Sequence, residues 1–124
     1  MMNKPGRSGF MRIVHATGYS QKGLRAAWQH EEAFRQEAIL AAILLPTAFW
    51  LGQTALERIA LIIPVFLVVI VELVNSAIEA AIDRISTDRH PLSGQAKDIG
   101  SAAVMMSLLL CMLSWGLVIQ QRFF

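Results

Sequence analysis

The chain has 124 residues, of which 55% are hydrophobic and 16% are charged, and its formal net charge is only +2. This is the length of one small domain, and a soluble domain so small buries too little surface for this many apolar side chains. The composition therefore excludes an ordinary soluble domain and favours an integral membrane protein with a single domain, residues 1–124. We expect no nucleic-acid partner.

The N-terminal residues 1–30 predict a polar tail followed by an amphipathic helix. Apolar side chains recur at helical spacing from Phe10 to about His30, and basic side chains fill much of the remaining surface. Gly18 and Gly23 are expected to bend or break this helix. A basic amphipathic helix is typical of the membrane interface. A soluble helix packed on a core would show the same pattern.

Three apolar runs predict three transmembrane helices, at about residues 33–52, 55–83 and 99–120. A spanning helix needs roughly 20 apolar residues, and the first run reaches that length only if its helix begins near residue 33. Pro46 and Pro64 are expected to kink the first two helices. The predicted fold is thus an all-α membrane protein with an N-terminal amphipathic surface helix and three transmembrane helices.

The connections between the apolar runs contain residues that favour turns. Residues 52–54 predict a short turn, and residues 84–97, which include Pro91 and Gly94, predict a longer loop. Ser93 is a plausible N-cap for the third transmembrane helix.

The distribution of Lys and Arg predicts the orientation of the chain, because loops rich in these residues stay in the cytoplasm. The first loop has only Arg58 and the C-terminus has only Arg122. The N-terminal segment and the second loop contain Lys4, Arg7, Arg12, Lys22, Arg25, Arg84, Arg89 and Lys97. We therefore expect a cytoplasmic N-terminus and second loop, with the first loop and C-terminus on the opposite side.

The end of the second apolar run carries a narrow polar stripe. At about 100° per residue, Glu79 and Asp83 each lie within roughly 20° of Glu72 around the helix, with Asn75 and Ser76 to either side. Ionisable groups inside a bilayer are costly and suggest function. The predicted orientation places Asp83 near the cytoplasmic surface, and Glu72 lies about 16 Å deeper along the helix.

This stripe suits phosphoryl transfer to a lipid alcohol. A deep carboxylate such as Glu72 can reach a lipid head group and act as a general base, and Glu79 can reach a cytosolic ligand. Glu31, at the foot of the first transmembrane helix, adds another carboxylate, and Mg²⁺ typically takes one or two carboxylates plus phosphates and water. Lys97 and Arg12 can neutralise phosphate charge. The sequence contains neither a Gly-x-x-x-x-Gly-Lys motif nor the protein-kinase motifs, which excludes those nucleotide sites.

Several motifs carry a resemblance to a known family. The main segment is Glu72-Leu73-Val74-Asn75-Ser76-Ala77-Ile78-Glu79, followed by Asp83-Arg84. Further segments are Gly18-Tyr19-Ser20, Lys22-Gly23-Leu24-Arg25-Ala26-Ala27-Trp28, Glu31, Ala33-Phe34-Arg35-Gln36-Glu37, Leu92-Ser93-Gly94, Ala96-Lys97-Asp98 and Gly100-Ser101-Ala102-Ala103-Val104. In their order and spacing, these segments resemble the prokaryotic membrane-integral diacylglycerol kinases over nearly the whole chain.

The resemblance implies a homotrimer in the bacterial inner membrane, with active sites between subunits. It implies transfer of the γ-phosphate of ATP to diacylglycerol at the cytoplasmic face, giving phosphatidic acid. By the matching motifs, Glu72 would be the catalytic base, Glu31 and Glu79 would hold Mg²⁺, and Asn75 would support them.

The resemblance also implies two sets of substrate contacts. Those with ATP are Arg12, Tyr19, Glu31, Glu79, Asp88, Arg89, His90, Lys97 and Asp98. Those with the lipid are Arg12, Trp28, Glu37, Trp50, Glu72, Ser101 and Trp115. The chain departs from the family pattern at His15, Gln21 and Arg89, where a Lys, a Trp and an aromatic residue are familiar.

Simpler roles remain open for several of these residues. Asp83 can be an interfacial anchor, Glu72 a structural acid paired with Asn75, and His90 an ordinary loop residue. The tryptophans can belong to the aromatic belts of the membrane. Two other functions also remain open: an undecaprenol kinase of the same fold, and a small proton-coupled transporter with Glu72 as its carrier carboxylate.

Overall fold

The computed structural model describes residues 8–85 and 88–124 of the chain. The tail predicted at the N-terminus, with Lys4 and Arg7, falls mostly outside these ranges. The described residues form helices and no strands, as the sequence predicts. The helices are α1 (Gly9–His30), α2 (Glu32–Leu51), α3 (Ala55–Ile85) and α4 (Pro91–Phe123).

Helix α1 is continuous, so the prediction that its glycines break it is wrong. Ser8 caps the first turn, where its hydroxyl oxygen accepts a hydrogen bond from the Met11 N–H at 3.3 Å. A glycine inside a helix costs only about 1 kcal/mol relative to alanine, and the residues around Gly18 and Gly23 are mostly good helix formers. Ala27 is the one residue of α1 that is buried, and its other apolar side chains lie at the surface.

The turn between α2 and α3 spans Gly52 to Thr54, as predicted. Arg58 folds back across it and donates from Nε to the Phe49 carbonyl at 3.2 Å. A Cβ atom at Gly52 would lie 2.6 Å from Cγ of Arg58. Glycine is therefore required here because the arginine side chain occupies the space.

Helix α4 begins at Pro91, so the loop predicted as far as residue 97 is wrong from that position on. The N-cap is His90 rather than Ser93, and its Nδ1 accepts a hydrogen bond from the Leu92 N–H at 3.1 Å. Proline is favoured in the first turn of a helix because its missing N–H is not needed there. Pro91 therefore starts the helix, and Gly94 lies inside it.

Helices α2, α3 and α4 pack around an apolar core of Ala41, Ala48, Leu51, Leu61, Val65 and Trp115. Leu61 and Ala48 have no exposed surface. The Trp115 indole N–H donates to the Leu61 carbonyl at 3.0 Å and so joins α4 to α3. The same three helices are long and apolar enough to cross a membrane, and their outer faces expose large apolar side chains such as Ile63, Phe66 and Ile70. These outer faces suit contact with lipid.

Candidate functional site

The polar stripe of α3 is divided between buried and accessible side chains. Glu72 is 4% exposed and Asn75 is 8% exposed, whereas Glu79 is half-buried and Asp83 is exposed. These residues follow one another toward the end of α3, so burial decreases along the stripe. The deep end is enclosed by the bundle and the shallow end is open to a ligand.

Glu72 on α3 faces Glu37 on α2, and their carboxyl groups are close enough to interact. We call these two side chains the carboxyl pair. Two facing carboxyl groups can share a hydrogen bond only when one of them is protonated, since ionised carboxylates only accept hydrogen bonds. Oε2 of Glu37 is buried and has no hydrogen-bond partner among the described residues. The carboxyl pair therefore joins a buried carboxyl, Glu72, to a half-buried one, Glu37, inside the bundle.

One turn from the carboxyl pair, Asn75 holds Glu79 in place. The side-chain amide of Asn75 donates from Nδ2 to Oε1 of Glu79 at 3.0 Å. The two residues are four positions apart, which places them on the same side of the helix. Because this bond uses one oxygen, the other oxygen of Glu79 is left for a ligand.

Asp83 and Lys97 link the end of α3 to the start of α4. Oδ1 of Asp83 accepts a hydrogen bond from Nζ of Lys97 at 2.9 Å, and both side chains are substantially exposed. Lys97 precedes the apolar part of α4, and the Asp83 carboxylate raises the pKa of its ammonium group. The sequence interpretation left Asp83 as an interfacial anchor and missed this ion pair, because the partner is 14 positions away.

The ion pair lines a cavity of about 510 Å³ at the α3–α4 connection. Four of the residues predicted to contact ATP line the same cavity, namely Asp88, Arg89, His90 and Lys97. Asp98 is exposed beside Lys97. Basic and polar groups around a concave surface suit a phosphorylated ligand. His90 also caps α4, so its ring contributes to the helix start that shapes this cavity.

A second groove of about 730 Å³ lies between α1 and α3. Glu31, at the junction of α1 and α2, lines it together with Ser76 and Ala77 of the polar stripe region. Arg35 stabilises this junction, since its Nη1 donates to the Trp28 carbonyl at 2.8 Å. The sequence interpretation gave Arg35 no role, although its position four residues after Glu31 could have indicated one.

Glu31 and Glu79 carry oxygen donors of the type that binds a magnesium ion held partly by phosphates. Among the described residues, no three His, Cys, Asp or Glu side chains cluster as a complete metal site. Mg²⁺ commonly takes only one or two carboxylates and completes its shell with phosphate and water. Glu31 and Glu79 supply that donor type, and Asn75 orients Glu79 as a supporting residue of a metal ligand does.

The predicted contacts on α1 lie at its surface. Arg12 is exposed, Tyr19 lies beneath the ammonium group of Lys22 at 5.9 Å from the ring centroid, and Trp28 is 45% exposed. All three are accessible to a ligand or to the membrane interface. Of the predicted lipid contacts, Ser101 is likewise exposed, on α4 next to Gly100.

The remaining two tryptophans lie far from the carboxyl pair. Trp115 is buried and bonded to Leu61, which precedes Glu72 by eleven residues, or about 16 Å of helix. Trp50 is exposed and its ring lies 6.4 Å from that of Phe123. A lipid contact at these positions would involve an acyl chain rather than the reacting head group.

Comparison with known proteins supports the resemblance found in the sequence. The sequence model described as prokaryotic diacylglycerol kinase matches residues 18–119. The diacylglycerol kinase of Escherichia coli strain K12 is 49% identical over 116 residues, which cover 94% of this chain and 95% of that protein. The diacylglycerol kinase of Haemophilus influenzae is 48% identical, covering 88% and 92%. That of Helicobacter pylori strain 26695 is 46% identical, covering 90% and 88%.

Proposed function

The chain belongs to the prokaryotic diacylglycerol kinase family, and on this premise we propose that it transfers the γ-phosphate of ATP to diacylglycerol, giving phosphatidic acid. The observation that carries the proposal is the carboxyl pair, in which Glu72 is buried and faces Glu37. A buried group that can accept a proton is what a lipid hydroxyl needs in order to attack a phosphate.

In the proposed reaction Glu72 is the catalytic base. Its carboxylate takes the proton of the lipid hydroxyl while the hydroxyl oxygen attacks the γ-phosphorus and ADP leaves. The proton of the lipid hydroxyl thereby passes to the carboxyl pair. Glu37 thus stabilises the pair and lies on the lipid side of the site.

Glu31 and Glu79 are the proposed ligands of Mg²⁺. When bound, the ion would neutralise charge on the transferring phosphates. Asn75 restricts Glu79 to one orientation through its 3.0 Å hydrogen bond, and the ligand geometry is therefore set before the nucleotide binds.

The cavity at the α3–α4 connection is the proposed site of the nucleotide. Lys97 would contact phosphate, because its ammonium is exposed and Asp83 keeps it charged. Further proposed contacts with ATP are Arg12, Tyr19, Asp88, Arg89, His90 and Asp98. Proposed contacts with the lipid, besides the carboxyl pair, are Arg12, Trp28, Trp50, Ser101 and Trp115.

We further propose a homotrimer in the bacterial inner membrane, with a cytoplasmic N-terminus and sites between subunits. The large apolar side chains on the outer faces of α2, α3 and α4 support contact with lipid or with neighbouring subunits. Crosslinking in mild detergent tests this arrangement, and an active monomer would contradict shared sites.

The decisive experiment is an acceptor panel with purified protein in detergent micelles. Labelled phosphate should pass from ATP to diacylglycerol when Mg²⁺ is present and not after chelation. Undecaprenol is the comparison acceptor, and a preference for it would replace the proposed substrate while keeping the chemistry. Absence of any labelled lipid, together with proton-linked flux when the same protein is reconstituted in sealed vesicles, would overturn the kinase in favour of a transporter.

A further inference from the structure

Helices α3 and α4 approach each other closely at Gly100 and Asn75. Gly100 is buried, and a Cβ atom built on it would clash with Oδ1 of Asn75 and lie 3.2 Å from Cγ. Gly94 and Gly116 in the same helix have nothing within 4 Å of such an atom. The space that a side chain at position 100 would need is therefore occupied by one neighbour, the Asn75 amide.

The direction of the Asn75 amide follows from its other contact. The Glu79 carboxylate accepts hydrogen bonds, so the amide must turn its Nδ2 toward Glu79, at 3.0 Å. Oδ1 then faces Gly100. This oxygen is buried and has no N–H or O–H partner in the described part of the chain. The glycine Cα–H is the group that meets it, in a contact of the weak kind that recurs between packed helices.

We propose that Gly100 is a positioning residue for the phosphoryl transfer, because its lack of a side chain leaves room for Asn75 to hold Glu79. The inference rests on the proposed function, in which Glu79 is a ligand of the divalent metal. A methyl group at position 100 would push Oδ1 away and rotate the amide. The bond to Glu79 would then be lost, and the carboxylate would be free to adopt other rotamers.

The first test compares Gly100→Ala with Gly116→Ala, a matched change in the same helix at an open position. Residues that orient a metal ligand typically contribute about 10- to 100-fold to metal affinity. We expect Gly100→Ala to weaken Mn²⁺ binding by at least about tenfold, measured by electron paramagnetic resonance with a non-hydrolysable ATP analogue. The KM for MgATP should rise more than kcat falls. Gly116→Ala should match the unsubstituted chain in both measurements.

The second test asks whether the effect passes through Asn75. In an Asn75→Ala background the added methyl has space, so Gly100→Ala should weaken Mn²⁺ binding no further. Losses that add in the double variant would overturn the inference, because they would show an effect independent of the amide.

The double variant also provides a test if Gly100→Ala alone fails to fold. If Gly100→Ala is unstable in thermal unfolding, the double variant should regain the stability of Asn75→Ala alone, and a double variant that is equally unstable would overturn the inference. The kinase proposal fails separately, if the unsubstituted chain does not phosphorylate diacylglycerol. An active chain in which Gly100→Ala behaves like Gly116→Ala overturns only the role of Gly100.

Discussion

The two ends of the helical bundle differ in the polar groups that they bury. Around Leu61 and Trp115 the core is apolar, and its one side-chain polar group, the indole N–H, is satisfied by a backbone carbonyl. Around Glu72 and Asn75 the same helices bury a carboxyl and an amide. Two atoms there, Oε2 of Glu37 and Oδ1 of Asn75, lack hydrogen-bond partners among the described residues.

The residues that stabilise the bundle and the residues of the proposed site therefore lie at different ends of the same helices. Buried polar groups without partners are costly, and such atoms in folded proteins call for an explanation. The only other buried unpaired side-chain atom in the described ranges is Nε of Arg122, at the end of α4. The polar end therefore holds two of these three unpaired atoms, next to groups that the proposed reaction uses, whereas the apolar core holds the helices together.

The largest effect should come from Glu72→Gln at the polar end. Removing a general base commonly costs about 10²- to 10⁴-fold in rate, and we expect kcat for diacylglycerol to fall in that range. Thermal unfolding should change little, because glutamine has a similar shape and can still hydrogen-bond to Glu37. Glu57→Gln, at the opposite end of α3, is the matched control and should keep full activity. Full activity in Glu72→Gln would contradict its assignment as the base.

Leu61→Ala should have the next largest effect, at the apolar end and on stability alone. Leu61 is completely buried, and removing a buried leucine side chain typically costs about 2–5 kcal/mol. The cavity term applies inside a bilayer as well, since helices there pack by close van der Waals contact. Thermal unfolding in detergent measures the loss, and kcat per folded molecule should be unchanged. A comparable fall in kcat would show that the two ends are coupled.

Two substitutions of Glu37 perturb the carboxyl pair to different degrees. Glu37→Gln keeps a donor for Glu72 and should lower kcat by about tenfold, which is less than the roughly 10²- to 10⁴-fold that a general base itself contributes. Glu37→Leu removes the polar group that faces Glu72, so its loss should be larger. Equal losses for the two substitutions would indicate a role in lipid packing instead of hydrogen bonding.

The sequence predicted the elements of the fold because their hydrophobic periodicity is strong. It also predicted the polar stripe from helical spacing, whereas a supporting role for Asn75 was implied only by the family resemblance. The contact of Glu72 with Glu37 was not predicted, because it depends on how α2 and α3 rotate against each other. The start of α4 was misplaced, because proline is favoured both in loops and in the first turn of a helix.

Of these substitutions, Asp83→Asn should have the smallest effect. Asp83 lies at the exposed end of the polar stripe. The Asp83–Lys97 ion pair is solvent-exposed, and exposed pairs contribute about 0–1 kcal/mol. We expect the unfolding temperature to stay within experimental error and the KM for ATP to change by less than about fivefold, or 1 kcal/mol in binding. Raising the salt concentration should shrink the difference further, because salt screens exposed charges. Lys97→Gln is the companion variant, and its KM should rise more, since it also removes a proposed phosphate contact. If Asp83→Asn raised the KM as much as Lys97→Gln, Asp83 would be a functional part of the nucleotide site, and the polar end would extend to the last turn of α3.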